Sequence, residues 1–368
     1  MDARALDTER RLSPETRIPM PSELRDRIGQ MVMVGFRGMT ALEAQPTIRN
    51  IAAGSVGAVV VYDVDAQTGG TRNIRSRDQL RELVGVLKAA NEIPVLVTID
   101  NEGGFYHRLK EQYGFGPVTP AAELGERNDL AFTREAAALI AAQLVDMGID
   151  MNLAQVVDLH TPANLPVSAR RRSFSSDPAL VAAHASEFIR AHHALGVLTC
   201  AKHYPGLRGA LGPLVTGVGE AVDSWSDDEL VPYRALIGEG LLDAVLASRF
   251  IHAELDAELP CCLSPRVIDG LLRRELGFDG VVISDPIEML SIWDVFGFER
   301  GTIMAVNAGV DLLLFCNVSQ VLPYSDERGP EAVQVILDAV ARGEIAESRV
   351  NDACRRVLTL KSRRGVRR

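Results

Sequence analysis

Short runs rich in valine and isoleucine return eight times along this chain of 368 residues. They lie at Met31–Phe36, Val56–Tyr62, Ile93–Asp100, Met151–Leu159, Leu198–Tyr204, Ala244–Phe250, Gly280–Asp285 and Asp311–Cys316. Runs of that length with little polar alternation mark strands buried on both faces, the condition of a parallel sheet covered by helices. The intervening segments carry helical spacing at Arg77–Ala90, Thr133–Met147, Pro178–Leu195, Asp227–Gly238, Pro265–Leu276 and Gly301–Ala308. Ser76, Asp177, Ser226 and Ser264 stand before four of them as candidate caps. Eight strands alternating with helices predict an α/β chain, a (β/α)8 TIM-type barrel in a single domain, which needs roughly 250 residues before insertions. The alternative is an open doubly wound sheet, whose dinucleotide version carries a glycine-rich turn straight after an early strand. Here Gly54-Ser55-Val56-Gly57 precedes its strand and Gly217-Val218-Gly219 follows none.

On this reading residues 1–22, with Pro14, Pro19 and Pro21, form an N-terminal tail. Residues 23–368 form the barrel, with closing helices over 331–361 and a frayed basic end. Lys plus Arg number 39 against 49 for Asp plus Glu, a formal charge of −10. That balance has no general attraction for phosphate backbones or anionic lipid, so nucleic acid and membranes are not expected partners. No apolar run has signal-peptide or membrane-spanning length, and the chain reads as a soluble cytoplasmic protein that takes a small molecule. The five cysteines are scattered without C-x-x-C spacing and imply no disulfide framework. Cys200 and Cys316 read as small buried hydrophobes, and Cys261-Cys262 as a loop pair.

In such barrels the reacting groups project from the C-terminal strand ends into one shared mouth. Three runs end in charge there: Thr98-Ile99-Asp100-Asn101-Glu102-Gly103-Gly104, Ala201-Lys202-His203-Tyr204-Pro205-Gly206 and Ile283-Ser284-Asp285-Pro286. Asp285 is placed as a nucleophile, or else as an N-cap for the next helix. Lys202-His203 has both residues wanted at the mouth although neighbours in a strand point to opposite faces. The alternative is a buried ion-paired lysine beside a hydrogen-bonded core histidine. Gly103-Gly104 marks either backbone approached closely by a ligand or a turn needing positive φ. His160, His203 and His252 lie near strand ends, but no H-x-H or H-E-x-x-H spacing supports a metal, and no cofactor motif is present. His192-His193 is expected to face solvent from its helix. Trp225 and Trp293 are the only tryptophans, so a long aromatic binding platform is not expected.

Taken together, these residues resemble glycoside hydrolase family 3, in its single-domain bacterial β-N-acetylglucosaminidases. The likeness runs from Ile28 to Val340. It is carried by Gly29-Gln30-Met31-Val32-Met33-Val34-Gly35-Phe36, Ile99–Gly104 with Arg108, Arg172-Ser173-Phe174-Ser175-Ser176-Asp177-Pro178, and Lys202–Gly206. Glu275-Leu276-Gly277-Phe278-Asp279-Gly280 through Asp285, and Ala308-Gly309-Val310-Asp311, complete it. The resemblance implies a barrel and a retaining glycosidase in which Asp285 attacks the anomeric carbon. It also implies that Asp100, Arg108, Arg172, Lys202 and His203 hold the sugar.

One family motif is missing. After Lys-His-Phe-Pro-Gly the family carries a loop ending Asp-Ser-His, whose histidine is the general acid and base. Here the segment reads Leu207-Arg208-Gly209-Ala210-Leu211-Gly212-Pro213-Leu214-Val215-Thr216, and the matching positions fall near Pro213 and Val215, which carry no proton. General acid–base help is worth about 10²–10⁴ in rate, so its loss bears hardest on substrates whose leaving group needs a proton. Glu102, His107, His160, His252, Glu254 and Glu288 are candidate substitutes. The apolar Leu207, Leu211, Leu214 and Val215 predict an ordered loop. Three functions remain open at this level: an atypical retaining glycosidase, an enzyme using the same pocket for transfer, phosphorolysis or activated glycosides, and a silent sugar-binding protein.

Overall fold

The computed structural model describes residues 18–162, 167–207, 221–222 and 225–363. Eight parallel strands make one sheet: β1 Val32–Gly35, β2 Ala58–Val61, β3 Leu96–Ile99, β4 Met151–Asn152, β5 Leu198–Tyr204, β6 Ala244–Ala247, β7 Val281–Ser284 and β8 Leu313–Phe315. Each lies inside one of the eight expected runs. Strands β1 to β7 neighbour one another in chain order, and β8 pairs with β1 through Met33↔Leu314. The ring closes between β7 and β8 at the bridge Ile283↔Leu312, which excludes the open doubly wound alternative.

That closing seam is a single bridge where every other pair of neighbouring strands shares a ladder. Ser284 N donates to Leu312 O and Leu312 N to Val282 O. Two strand amides bond to side chains instead, Leu314 N to Ser284 Oγ (3.0 Å) and Val282 N to Asp311 Oδ2 (3.0 Å).

The strand pleat sorts the apolar residues into two cores. Met33, Val60, Leu96, Leu198, Cys200, Val281, Ile283 and Leu314 fill the barrel interior. Val32, Val59, Val97, Val245 and Val282 point outward into the larger core beneath the helices. A residue slip of one in any strand would exchange these sets, so both cores hold the register. Below the barrel, helix Glu347–Arg363 brings Val357 and Leu360 against the inner core. Its fully buried Lys361 donates to Gln30 Oε1 (2.7 Å) and Gly57 O (2.8 Å), and burial pushes its ammonium down to about 7.

Departures from expectation have local causes. The run Met151–Leu159 pairs regularly only over Met151–Asn152. Beyond it the backbone follows β5 irregularly, Lys202 N donating to Gln155 O and Val157 N to Lys202 O. The helix expected from Gly301 begins at Leu290, because Gly297 at φ +71° interrupts the pattern while the helix continues on either side. Arg266–Glu275 is a π-helix, and Leu24–Gly29, Gln45–Ala52 and Ala121–Arg127 are helices too short to show a clear period. Ser76 and Asp177 cap their helices, accepting from Gln79 N, and from Ala179 N and Leu180 N. His192 does not face solvent. It is buried with Nε2 3.0 Å from Asn152 Nδ2, and burial pushes it down to about 4, while His193 bonds Asp243 at 2.6 Å. All five cysteines are buried and free. Leu207 is buried, but the rest of the segment Leu207–Thr216 expected to be ordered lies outside the described residues. Among the described residues no helix is long and apolar enough to cross a membrane.

Candidate active site

At the C-terminal ends of the strands the barrel opens into a cavity of about 770 Å³. Asp100, Arg108, Arg172, Lys202, His203 and Asp285 all line it. Residues scattered over 186 positions of sequence are gathered because strand ends in a closed barrel share one rim.

The hub of its polar side is Glu102, which follows β3. Arg172 grips it through two bonds, Nε to Oε2 at 2.7 Å and Nη2 to Oε1 at 2.8 Å, and Lys202 Nζ lies 2.6 Å from Oε1. Burial alone would raise the Glu102 carboxyl, but the charges of Arg172 and Lys202 outweigh it and hold the group well below the usual carboxylate range. Lys202 Nζ also donates to Asp100 at 2.8 Å. Two cations and two carboxylates thus fix one another in a buried network, the fork geometry setting the plane of Arg172. The Arg172 guanidinium stacks 4.4 Å over the Tyr106 ring.

The turn that delivers Glu102 requires its glycines. Gly103 and Gly104 have φ of +90° and +65°, and a Cβ on Gly103 would come 2.5 Å from Thr119 O. Asn101 braces the hairpin that follows, its Oδ1 accepting from Arg108 N at 3.0 Å and lying 2.8 Å from His107 Nδ1. Arg108 then reaches back to Asp63 (3.1 Å), which Lys110 also pairs.

Lys202 and His203 both reach the cavity, where the β5 to β6 register shifts between Lys202 and Tyr204. Such an irregularity re-aims neighbouring side chains that a regular strand would send to opposite faces. The Lys202–His203 and Tyr204–Pro205 peptide bonds are cis. Asp158 holds His203 from behind, with Oδ2 2.7 Å from Nδ1 and both oxygens accepting from His203 N at 3.2 Å. Arg172 Nη2 sits 3.4 Å from His203 Nε2. A guanidinium only donates, so these partners assign the ring proton to Nδ1.

Asp285 follows β7, and its N donates to Ala247 O (2.9 Å), locking the chain at the strand end. Its Oδ2 accepts from Arg249 N at 3.0 Å and lies 3.3 Å from Arg249 Nη1. Oδ1 has no hydrogen-bond partner among the described residues, and Asp285 makes no cap bond to the helix that follows, whose N-cap residue is Met289.

Of the six candidate proton donors only Glu102 lines the cavity, and both its oxygens are engaged by cations. Burial pushes His107 and His252 down to about 4, so each is neutral, and neither reaches the cavity. Glu288 is pushed up to about 7 by burial but accepts from Asn317 N beneath the rim, while His160 and Glu254 are exposed away from the cavity. Sequence reasoning passed over Arg249, Asp158 and Asp63. Arg249 and Asp158 lie inside expected strand runs, and a charge interrupting an apolar run at the rim was the available signal.

The chain belongs to glycosyl hydrolase family 3, whose N-terminal domain model matches residues 23–360. Within that family it is a glycosidase of the β-hexosaminidase type. It is 34% identical over 268 residues to a β-hexosaminidase of Tolumonas auensis, covering 72% of this chain and 76% of that one. A β-hexosaminidase of Stenotrophomonas maltophilia is 35% identical over 300 residues, covering 78% and 83%. Among solved structures, a family 3 β-N-acetylglucosaminidase from a Paenibacillus species superposes with a TM-score of 0.83 at 32% identity. The match covers 94% of this chain but 63% of that one, so the chain spans under two thirds of that relative's length. A β-N-acetylhexosaminidase from Beutenbergia cavernae superposes with a TM-score of 0.82 at 30% identity, covering 93% of this chain and 99% of that one.

Proposed function

We propose that this protein is a retaining glycosidase of a β-linked N-acetylhexosaminide or related small glycoside, with Asp285 as nucleophile. The single observation that carries the reading is the asymmetry of Asp285. One oxygen is fixed by Arg249 and the other is unpartnered among the described residues, in the cavity that also holds Asp100, Arg108, Arg172, Lys202 and His203. In this reading Oδ1 attacks the anomeric carbon as the glycosidic bond breaks, and its electron pair leaves with the aglycone oxygen. Water then displaces the carboxylate and gives its proton to solvent. Asp100 accepts from sugar hydroxyls while Arg108, Arg172 and Lys202 donate, and His203, its Nε2 facing Arg172, completes the sugar-holding set. We place the enzyme in the cytoplasm, with residues 1–22 as a tail outside the barrel domain of 23–368.

The test is mass spectrometry of the intact chain after incubation with a ring-fluorinated N-acetylglucosaminyl fluoride, with Asp285→Ala as control. Fluoride departs without a proton, and the ring fluorine slows breakdown of the glycosyl-enzyme. An adduct on a peptide containing Asp285, absent from the variant, is expected. Binding of the parent sugar with no adduct would instead assign a silent sugar-binding protein.

A further inference from the structure

The cavity has two walls of opposite character, carried by different strands. Asp100, Glu102 and Arg108 follow β3, Arg172 follows β4, Lys202 and His203 end β5, and Arg249 follows β6. Val64 and Ala66 follow β2, Met289 and Leu290 follow β7, and Val318 and Val321 follow β8. Because β7, β8, β1 and β2 are consecutive around the barrel, these six side chains lie on one side of the rim as an apolar arc, with Ser319 and Gln320 between Val318 and Val321. Asp285, at the end of β7, stands where the arcs meet.

The apolar arc is tied in place by polar groups behind it. Arg37 pairs with Asp65 (2.6 Å) and donates to Gln67 Oε1 (2.8 Å), and Gln67 Nε2 donates to Ser319 O (2.7 Å) and Leu322 O (2.6 Å). Loops after β1, β2 and β8 are thereby fastened to one another, so the wall exists before a ligand arrives. The Ser319 hydroxyl oxygen is taken up by Val321 N and Leu322 N. A second sugar laid here would set most of its hydroxyls against aliphatic groups, with Gln320 and the Ser319 hydroxyl the polar side chains on this side, and would lose hydrogen bonds to water with little replacement.

The other observation concerns protons. Among the described residues the cavity's imidazole carries its proton on Nδ1, toward Asp158, and the carboxyls of Asp100 and Glu102 are paired with Lys202. The segment Arg208–Gly219 holds no Asp, Glu or His, and the next carboxylates, Glu220 and Asp223, lie outside the described residues. A leaving group that departs as its own anion suits such a site. Phenols ionise at about 10, as tyrosine does, well below the hydroxyls of sugars.

We propose that this wall binds an apolar aromatic aglycone joined through a phenolic oxygen, making the substrate class an aryl β-glycoside. The proposal rests on the retaining-glycosidase reading above and names the leaving group for it. The bond from C1 to Asp285 Oδ1 forms as the bond to the aryl oxygen breaks. The electron pair leaves as phenoxide, and water then releases the sugar and restores the carboxylate.

The test measures kcat/KM of the full chain for four N-acetylglucosaminyl donors: the fluoride, nitrophenyl and naphthyl glycosides, and the disaccharide with a second N-acetylglucosamine. Aryl glycosides are expected to react at least about 10³-fold faster than the disaccharide, within the range that missing acid catalysis produces. Val64→Asp and Val321→Asp place charge on side chains already 40% and 71% exposed, so the fold tolerates them. Each is expected to lower the naphthyl-to-fluoride ratio of kcat/KM about tenfold, as desolvating a carboxylate against an apolar ring would. A disaccharide rate matching the aryl glycosides, or a ratio unmoved in both variants, overturns the aryl assignment alone. No turnover of the fluoride overturns the glycosidase reading and this one with it.

Discussion

Removing the charge of Glu102 tests whether the polar wall is built around that carboxylate. Glu102→Gln preserves size and leaves one acceptor, but it turns an amide N–H₂ toward groups that only donate. Arg172 then loses a bidentate partner, while Lys202 keeps Asp100 at 2.8 Å. Breaking a buried ion pair from one side costs about 3–5 kcal/mol. With Lys202 still paired, the lower figure of about 3 kcal/mol is expected. Asp100→Asn is the comparison, because its side chain is 19% exposed and bonds only Lys202 among the described residues. It should cost about 1 kcal/mol or less. Urea unfolding at pH 7 measures both. The sign with pH follows from the direction of the shift. A carboxyl held below its unfolded value stabilises fully above that value, about 4.3, and loses the contribution as pH falls below it. The gap between native protein and Glu102→Gln should therefore be flat from pH 8 to about 5 and narrow under about 4. Equal costs for the two variants, or a gap that closes between pH 8 and 6, would refute Glu102 as the hub.

Asp158→Asn removes the acceptor that holds the His203 proton on Nδ1, and kcat/KM for an aryl glycoside should fall about tenfold or more, as for other orienting partners of a histidine. Comparing the imidazole NMR resonances of both proteins at one pH separates this from misfolding, since the His203 resonance should move while the others hold. Lys361, pushed down to about 7 by burial, binds fewer protons folded than unfolded up to about 10.4. Stability should rise with pH across that window by up to about 1.4 kcal/mol per unit, and Lys361→Met should flatten the rise in urea midpoints taken at pH 7 and 9. Asp177→Ala deletes a cap that serves Ala179 N and Leu180 N and should cost about 1 kcal/mol by thermal unfolding, with activity at low temperature unchanged.

The barrel was legible because its strands are buried on both faces, which writes each as an unbroken apolar run, and because a closed ring places their ends together. Strand β4 was overestimated for the same reason. An apolar run such as Leu153–Val157 announces burial, and here the burial comes from irregular backbone lying along β5. The cavity residues were legible through their motifs and their place at strand ends. What could not be read was pairing across the ring. Glu102 stood as a possible acid until Arg172 and Lys202 were seen to occupy both its oxygens, and His192 as a surface residue until Asn152 was found beneath it. Arg249 shares no motif with Asp285, and only the neighbouring positions of β6 and β7 bring them together.

The seam between β7 and β8 gives the barrel a mechanical direction. Every other pair of neighbouring strands shares a ladder, but here the amides of Val282 and Leu314 lean on a carboxylate and a hydroxyl. Side-chain bonds of this kind rotate away more readily than a ladder slides, so these two amides should exchange their hydrogens ahead of those in β1 and β2. Asp285 sits on one lip of the seam and the loop bearing Val318 and Val321 on the other. Any widening along that line changes the distance between the carboxylate and the part of the apolar arc that follows β8, while leaving Arg172, Glu102 and Lys202 undisturbed. On the proposed mechanism, compliance in this ring falls where a departing group would pass, and stiffness where a sugar would be held.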